Sequence, residues 1–132
     1  MIIDIHAHAA GDYSTAASIR NMAAKYDIEK VILCTSPKNI QNLQKPPSMP
    51  FKQKSDSIFM MNRMNRLAYK HFLKDNGDGN QYVSELRNQL PELVVQFLWV
   101  NPLDTGYMDN LENSIRTYQP KGIKLHQTWN PF

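Results

Sequence analysis

Short apolar runs alternate along the chain with longer stretches in which apolar residues recur every three or four positions. The apolar runs are short enough for strands and span residues 2–8, 31–34, 93–100 and 123–126. They are rich in β-branched isoleucine and valine, which favour extended backbone. Such runs are typical of parallel strands covered on both faces. The pattern therefore predicts four strands of one parallel sheet.

The stretches between these strands predict helices. Their apolar residues recur with the period of an amphipathic helix, and they span 15–26, 56–74 and 81–90, with a last helix ending at Tyr118. Ser14 or Asp12 is available to cap the first helix, and Asp104 or Thr105 to cap the last. Strands that alternate with helices imply an α/β fold with right-handed crossovers.

One polar segment, residues 35–57, interrupts this alternation after the second strand. Prolines deny it long regular structure, and it gathers the lysines Lys38, Lys45, Lys52 and Lys54. The plain interpretation is a solvated loop. The alternative is a lid at the carboxyl end of the second strand, in which Lys45 and its neighbours attract an anionic substrate.

The composition fits a single globular domain. The chain has 132 residues, of which 42% are hydrophobic, and this is enough for one core. Its formal charge of +3 is scattered, whereas a nucleic-acid surface needs a basic stripe with interleaved aromatic residues. Neither a run of eighteen apolar residues nor a signal peptide is apparent, so we expect a cytoplasmic protein without a membrane span.

The most informative chemical feature is the pair His6 and His8 at the end of the first strand. On a strand, residues i and i+2 face the same side about 7 Å apart at their Cα atoms, so two imidazoles can converge on one metal ion. Asp4 is expected on the same face, where a carboxylate can orient a ligand imidazole. The alternative is two histidines in a surface loop. The only cysteine, Cys34, is expected to be a buried thiol, which leaves nitrogen and oxygen ligands for a metal.

Further candidates lie at the carboxyl ends of the other strands, where α/β folds place their sites. Lys124 and His126 are two residues apart on the fourth strand and are expected to face the interior together. Their alternative role is a hydrogen-bonded pair without metal contact. Trp99 and Asn101 end the third strand on one face, and they are candidates for substrate contact or for ordinary packing at the rim. A flavodoxin-like sheet also fits the strand order, but no glycine-rich phosphate turn follows the first strand.

Three of these strand-end segments together resemble the amidohydrolase superfamily, in particular its amidohydrolase-related branch. They are Ile3-Asp4-Ile5-His6-Ala7-His8, Trp99-Val100-Asn101-Pro102 and Gly122-Ile123-Lys124-Leu125-His126. The resemblance implies a (β/α)8 TIM barrel with one or two divalent metals at its carboxyl mouth, zinc first, with manganese or iron as alternatives. It implies that His6 and His8 are ligands. It also makes Lys124 a candidate for the carboxylated lysine that bridges two ions in some relatives, and His126 a third ligand or a substrate contact.

The activity implied by the resemblance is hydrolysis of a C–N or C–O bond in a small molecule by a metal-activated water, or decarboxylation at the same site. Relatives carry a further histidine on the fifth strand and an aspartate on the eighth, and such a barrel needs about 250 residues. We therefore expect residues 1–132 to be the amino-terminal half of the barrel domain, with a loop insertion at about 35–57. As an active site this half is expected to be incomplete and inactive alone.

Two alternatives stay open. A PHP-type metal-dependent phosphoesterase also opens with Asp-x-His-x-His, although Gly11-Asp12-Tyr13 stands where that family tends to have a Ser-Asp-Gly turn. The other alternative is a non-catalytic, split half-barrel that pairs its open first and fourth strands with another half, because exposed strand edges promote association. The expected partners are thus a small-molecule substrate and a second half-barrel, without nucleic acid or membrane.

Overall fold

The computed structural model of the chain describes residues 2–35, 79–102 and 104–125. Its elements in chain order are β1 (Ile2–His8), a 3-10 turn (Gly11–Tyr13), α1 (Ala16–Tyr26), β2 (Ile28–Cys34), α2 (Gly79–Gln89), β3 (Val94–Trp99), α3 (Tyr107–Tyr118) and β4 (Gly122–Lys124). All four predicted strands are present. Residues 36–57 of the predicted loop, the predicted helix over 56–74, Lys45 and His126 lie outside the described residues.

The four strands form one parallel sheet in the order β1-β2-β3-β4. Cα partners in register include Val31 with Val94, and Trp99 with Lys124. The sheet curls so far that the Lys124 side chain of β4 contacts His6 of β1, and the strands therefore form a half-barrel. The predicted α/β fold with about four parallel strands is confirmed.

The hydrophobic core lies between the sheet and the helices α1 and α2. Ile19 of α1 and Val83 of α2 are buried in one cluster with Val31 and Leu33 of β2. Burying a side chain of this size contributes about 1.5–3 kcal/mol. Because alternate residues of a strand face opposite sides, Cys34, which follows Leu33, lies on the inner face of the half-barrel.

The first helix begins at a cap that differs from the predicted one. Thr15 caps α1, in place of Ser14 or Asp12. The Thr15 hydroxyl accepts the Ser18 N–H at 3.1 Å, and the Ser18 hydroxyl accepts the Thr15 N–H at 3.1 Å. This reciprocal capping box satisfies two backbone donors at once, which a single Ser14 or Asp12 side chain would not.

The last helix also departs from its predicted start. Gly106 precedes α3 with a φ of 73°, and no side chain caps the helix. Asp104 and Thr105 are therefore not its caps, and the Asp104 carboxylate accepts a hydrogen bond from Asn101 Nδ2 at 2.5 Å. No helix within the three described ranges is long and apolar enough to cross a membrane.

Among the described residues the second helix is already present at Gly79, ahead of its predicted start at residue 81, and it packs there directly on the end of β2. A Cβ atom at Gly79 would lie 1.9 Å from Thr35 Oγ1, so this close approach requires glycine. Glycine and asparagine are weak helix formers, and Gly77-Asp78-Gly79-Asn80 is typical of a turn. The tertiary contact thus extends the helix into a segment that local sequence assigns to a turn.

The outer strands β1 and β4 carry exposed apolar residues. Ile5 of β1 is 74% exposed, and Ile123 and Leu125 at β4 are each 46% exposed. Among the described strands, β1 and β4 each have a neighbour on one side only. An apolar strand with an unpaired edge favours association with another strand.

Candidate metal and catalytic site

His6 and His8 bring their imidazoles together at the carboxyl end of β1. Their Nε2 atoms are 3.2 Å apart, and the ring planes are inclined by 53°. Two nitrogens bound to one tetrahedral zinc ion at 2.0–2.1 Å are about 3.3 Å apart. His6 is exposed and His8 is half-buried, so a metal held between them would be accessible from solvent. The two nitrogens have the separation that one zinc ion requires.

The orientation of the His8 ring is set by the end of β2. His8 Nδ1 lies 3.0 Å from the backbone carbonyl oxygen of Thr35, a residue that is fully buried. A carbonyl oxygen only accepts, so Nδ1 carries the hydrogen and donates it. The Nε2 lone pair of neutral His8 is left to face His6. Histidine ligands of metals are usually held in this way, with the second ring nitrogen donating to a carbonyl or a carboxylate.

Lys124 lies beside His6 although 118 residues separate the two in the chain. Its Nζ is 2.9 Å from His6 Nε2. The two side chains meet because the sheet curls and brings the inner faces of β1 and β4 together. The structure thus brings Lys124 to the histidine pair.

The hydrogen bonds around His6 Nε2 conflict with one another. A ring nitrogen has either one N–H or one lone pair. The His8 lone pair requires an N–H at His6, whereas the Lys124 ammonium group requires a lone pair at the same atom. A cation between the two imidazoles would take both Nε2 lone pairs, and the Lys124 ammonium group would then have to turn away from His6. A proton on His8 Nε2 is the alternative.

Asp4 supports His6 through the backbone. One carboxylate oxygen accepts the His6 N–H at 3.1 Å, and the other accepts the Tyr13 hydroxyl at 2.6 Å. The register of β1 against β2 shifts between Asp4 and Ala7, which interrupts the simple alternation from which a shared face was expected. Burial, followed by the hydrogen bond to Asp4, raises the pKa of Tyr13 to about 12.

Cys34 packs on the other side of His8. It is the partner of His8 in register, and its Sγ lies 3.5 Å from His8 Nδ1 and 3.2 Å from the carbonyl oxygen of Ala7. Burial raises the pKa of the thiol to about 11, and the charge of Lys124 opposes this rise. The thiol is buried, which confirms the prediction.

Trp99 lines the site, whereas Asn101 points elsewhere. The Trp99 ring is 3% exposed and meets the His8 ring edge-on, with the ring centroids 5.8 Å apart. Asn101 donates to Asp104 and, together with Trp99 and Asn80, lines a cavity of about 510 Å3 between β3 and α3. Neither His6, His8 nor Lys124 lines that cavity.

The sequence did not single out Thr35, Tyr13 or Asn80 as part of the site. Thr35 acts through its carbonyl, which carries no side-chain signal. Tyr13 and Asn80 act across the tertiary structure, on Asp4 and on the backbone of Trp99. The one available signal was position, because Thr35 directly follows a strand end.

Among the residues that the structure describes, no group of three or more His, Cys, Asp or Glu side chains is arranged to hold a metal ion. The donors in that part of the chain are the two imidazoles, with Lys124 beside them. Comparison with known proteins finds no family model and no curated protein that matches this chain. What bears on function is thus the set of strand-end motifs and the contacts around His8.

Proposed function

We propose that this chain carries the amino-terminal half of a metal-dependent hydrolase site of the amidohydrolase-related type, built on half of a (β/α)8 barrel. The observation that carries the proposal is the 3.2 Å separation of His6 and His8 Nε2 at the carboxyl end of a parallel strand, where barrel enzymes place their sites. The contact of Lys124 with His6 supports it over a PHP-type phosphoesterase, whose pattern the closing strand fits poorly.

A divalent metal bound here, zinc first and manganese or iron as alternatives, would polarise a scissile C–N or C–O group of a small molecule and lower the pKa of water. The same site also suits decarboxylation. His6 and His8 would hold the ion, and the Thr35 carbonyl would keep the His8 lone pair directed at it. Trp99 excludes water from one side of His8.

Lys124 and His126 complete the proposed half-site. Lys124 Nζ is close enough to His6 to bridge a second ion once carboxylated, or to hold a proton beside the reacting group. His126, two residues further along the sequence, is proposed as a third ligand or a substrate contact. The lysines near Lys45 are proposed as contacts for an anionic group of the substrate.

Metal binding is the decisive test of this proposal. We expect the purified chain to bind one zinc ion, measured by elemental analysis and by competition with a chelator. His6→Ala and His8→Ala should each weaken zinc binding roughly a hundredfold or more. The binding free energy of a four-ligand zinc site is about 10–16 kcal/mol, which is several kcal/mol for each ligand. Cobalt(II) in place of zinc should give visible absorption bands that both variants lose.

Asp109→Ala is the matched control, because Asp109 is an exposed acid in the first turn of α3 and reports adventitious binding to the surface. Its zinc affinity should equal that of the parent chain. A parent chain that binds no metal, or His6 and His8 variants that bind it as tightly as the parent, would contradict the proposal.

The exposed edges of the sheet favour a second candidate, a half-barrel that works only when paired with another half. Ile5 on β1 and Ile123 and Leu125 at β4 present apolar surface at both edges. Parallel strands of a second half-barrel would continue both hydrogen-bond ladders, and its helices would cover these outward-facing residues. This partner would also bring further strand ends to the site at the mouth.

A further inference from the structure

We propose that the first turn of α2 is the element that positions His8, with Asn80 as its principal positioning residue. The inference rests on the proposed metal site, because it assigns the group that keeps one of its two ligands aligned. The Asn80 side chain is hydrogen-bonded to the backbone of Trp99. It acts through Trp99, and its neighbour Gly79 acts through Thr35.

Asn80 holds the end of β3 by both groups of its amide. Its Oδ1 accepts the Trp99 N–H at 2.9 Å, and its Nδ2 donates to the Trp99 carbonyl at 3.0 Å. The last residues paired between β2 and β3 are Leu33 and Gln96. Further along β3, at Trp99, the Asn80 amide forms the backbone hydrogen bonds that a neighbouring strand would otherwise form. Backbone polar groups that lose a ladder partner need such a substitute.

Asn80 is itself fixed to the same strand. Its backbone carbonyl accepts a hydrogen bond from Gln96 Nε2 at 2.8 Å, and the Gln96 side chain is fully buried. The first turn of α2 is therefore tied to β3 at Gln96 and again at Trp99. Because both its side-chain amide and its backbone carbonyl are hydrogen-bonded to β3, Asn80 has little rotamer freedom left. It therefore keeps Trp99 in a fixed position relative to α2.

The clamp on Trp99 reaches His8 through ring packing. The Trp99 indole meets the His8 imidazole edge-on at 5.8 Å between centroids. Displacing the Trp99 backbone would move the indole and open the space that holds the His8 ring in place. Aromatic pairs of this geometry depend on such a fixed separation.

A second route to His8 passes through Gly79. A Cβ atom at this position would lie 1.9 Å from Thr35 Oγ1 and 2.9 Å from Thr35 Cβ. Thr35 would have to shift, and its carbonyl is the acceptor that holds His8 Nδ1–H at 3.0 Å. Two adjacent residues of α2 therefore control two different contacts of one imidazole.

Asn80→Ala tests the inference, with Asn88→Ala as the matched control. Asn88 is an exposed asparagine at the other end of α2. We expect Asn80→Ala to weaken zinc binding roughly 10- to 100-fold, the range found when groups that orient a ligand are removed. The cobalt(II) absorption bands should change shape at saturating metal, whereas Asn88→Ala should leave affinity and spectrum as in the parent.

A readout in the metal-free chain separates this inference from the proposed function. Nitrogen-15 NMR reports which His8 nitrogen carries the hydrogen, and we expect the Nδ1–H form in the parent and a mixture in Asn80→Ala. If the parent binds no zinc but Asn80→Ala changes the His8 tautomer, the proposed function fails and the positioning role stands. If the parent binds zinc and Asn80→Ala alters neither affinity nor tautomer, the positioning role is wrong.

Gly79→Ala provides a second test of the positioning role if Asn80→Ala does not fold. We expect it to shift the His8 tautomer and weaken zinc binding by clashing with Thr35. The double variant Gly79→Ala with Thr35→Gly removes every side-chain atom in the clash and should restore both measurements, since the backbone carbonyl remains. A double variant no closer to the parent than Gly79→Ala would overturn the route through Thr35.

Discussion

The Asp4–Tyr13 hydrogen bond ties the turn after β1 to the backbone of His6. Tyr13 donates to one Asp4 oxygen at 2.6 Å while the other oxygen accepts the His6 N–H. Tyr13 also packs against the hydrophobic core. One phenol thus connects the core to the strand segment that carries the histidine pair, and its hydroxyl is the polar part of that connection.

Tyr13→Phe should lower the free energy of unfolding at neutral pH by about 1.5 kcal/mol, the lower end of the range for a hydrogen bond to a charged group. The ring and its packing remain, so the loss measures the hydroxyl alone. Urea denaturation followed by circular dichroism gives the value. Tyr26→Phe is the control, because Tyr26 is half exposed, and equal losses in the two variants would contradict the assignment.

The same residue predicts a loss of stability in alkali. Burial and the charges of Asp4, Asp12 and Tyr26 raise the pKa of Tyr13 from 10.0 to about 12. Between these values the unfolded chain has lost the proton and the folded chain keeps it, so the free energy of unfolding falls as pH rises from about 10 to 12. Below pH 10 this group contributes no pH dependence. Denaturation at pH 9 and pH 11 should show a smaller decline in Tyr13→Phe than in the parent chain.

At the scale of elements, α1 and α3 differ in what holds them. α1 has a reciprocal capping box and buries Ala16, Ile19 and Ala23. α3 has no side-chain cap and buries no residue, and its last turn is tied to α2 by a hydrogen bond from Arg87 to the Tyr118 carbonyl. Most helical stability in proteins comes from the packed apolar face, so α1 is the better supported helix.

Thr15→Ala should therefore cost about 1 kcal/mol of unfolding free energy, the typical loss when a capping hydroxyl is removed. Thr105→Ala is the matched control, since Thr105 precedes α3 without capping it, and its effect should stay within about 0.5 kcal/mol. Both values come from urea denaturation at neutral pH. A cost at Thr105 equal to that at Thr15 would show that the capping box contributes nothing measurable.

At the scale of the whole molecule, the same curled sheet forms the candidate metal site on its inner face and ends in two outer strands, β1 and β4. The inner face brings β1 and β4 together at His6 and Lys124, while the outer sides of the same strands expose isoleucine and leucine. Curling thus assembles the candidate site and leaves both edges with a neighbour on one side only, among the described strands. The site and the proposed pairing surface are two consequences of the same geometry.

We predict that the chain self-associates, with sedimentation that depends on concentration. Ile5→Lys and Leu125→Lys should each weaken association roughly tenfold or more, because a charge on an edge strand opposes pairing. Met108→Lys is the control, since Met108 is an exposed apolar residue on α3. A parent chain that stays monomeric at the highest attainable concentration, or a control as disruptive as the edge variants, would rule out pairing through β1 and β4.

The sequence by itself determined the strands, the α/β order and the histidine pair. Apolar runs and helical spacing are local properties, since each follows from the period of the backbone that bears it. The i, i+2 spacing of His6 and His8 likewise needs only an extended backbone to bring the rings together, and their Nε2 atoms are 3.2 Å apart. Cys34 was likewise predicted to be a buried thiol, because no strongly basic residue adjoins it in the sequence.

Only the tertiary structure decided how the site is held. His6 meets Lys124 across 118 residues, and this depends on how far the sheet curls. The Thr35 carbonyl and the Asn80 amide act on His8 and Trp99 through contacts between elements. Such contacts follow from packing and strand register, which join residues distant in the chain. The periodicity of apolar residues gives no information about these contacts, because it describes one helix or strand at a time and not how that element packs against others.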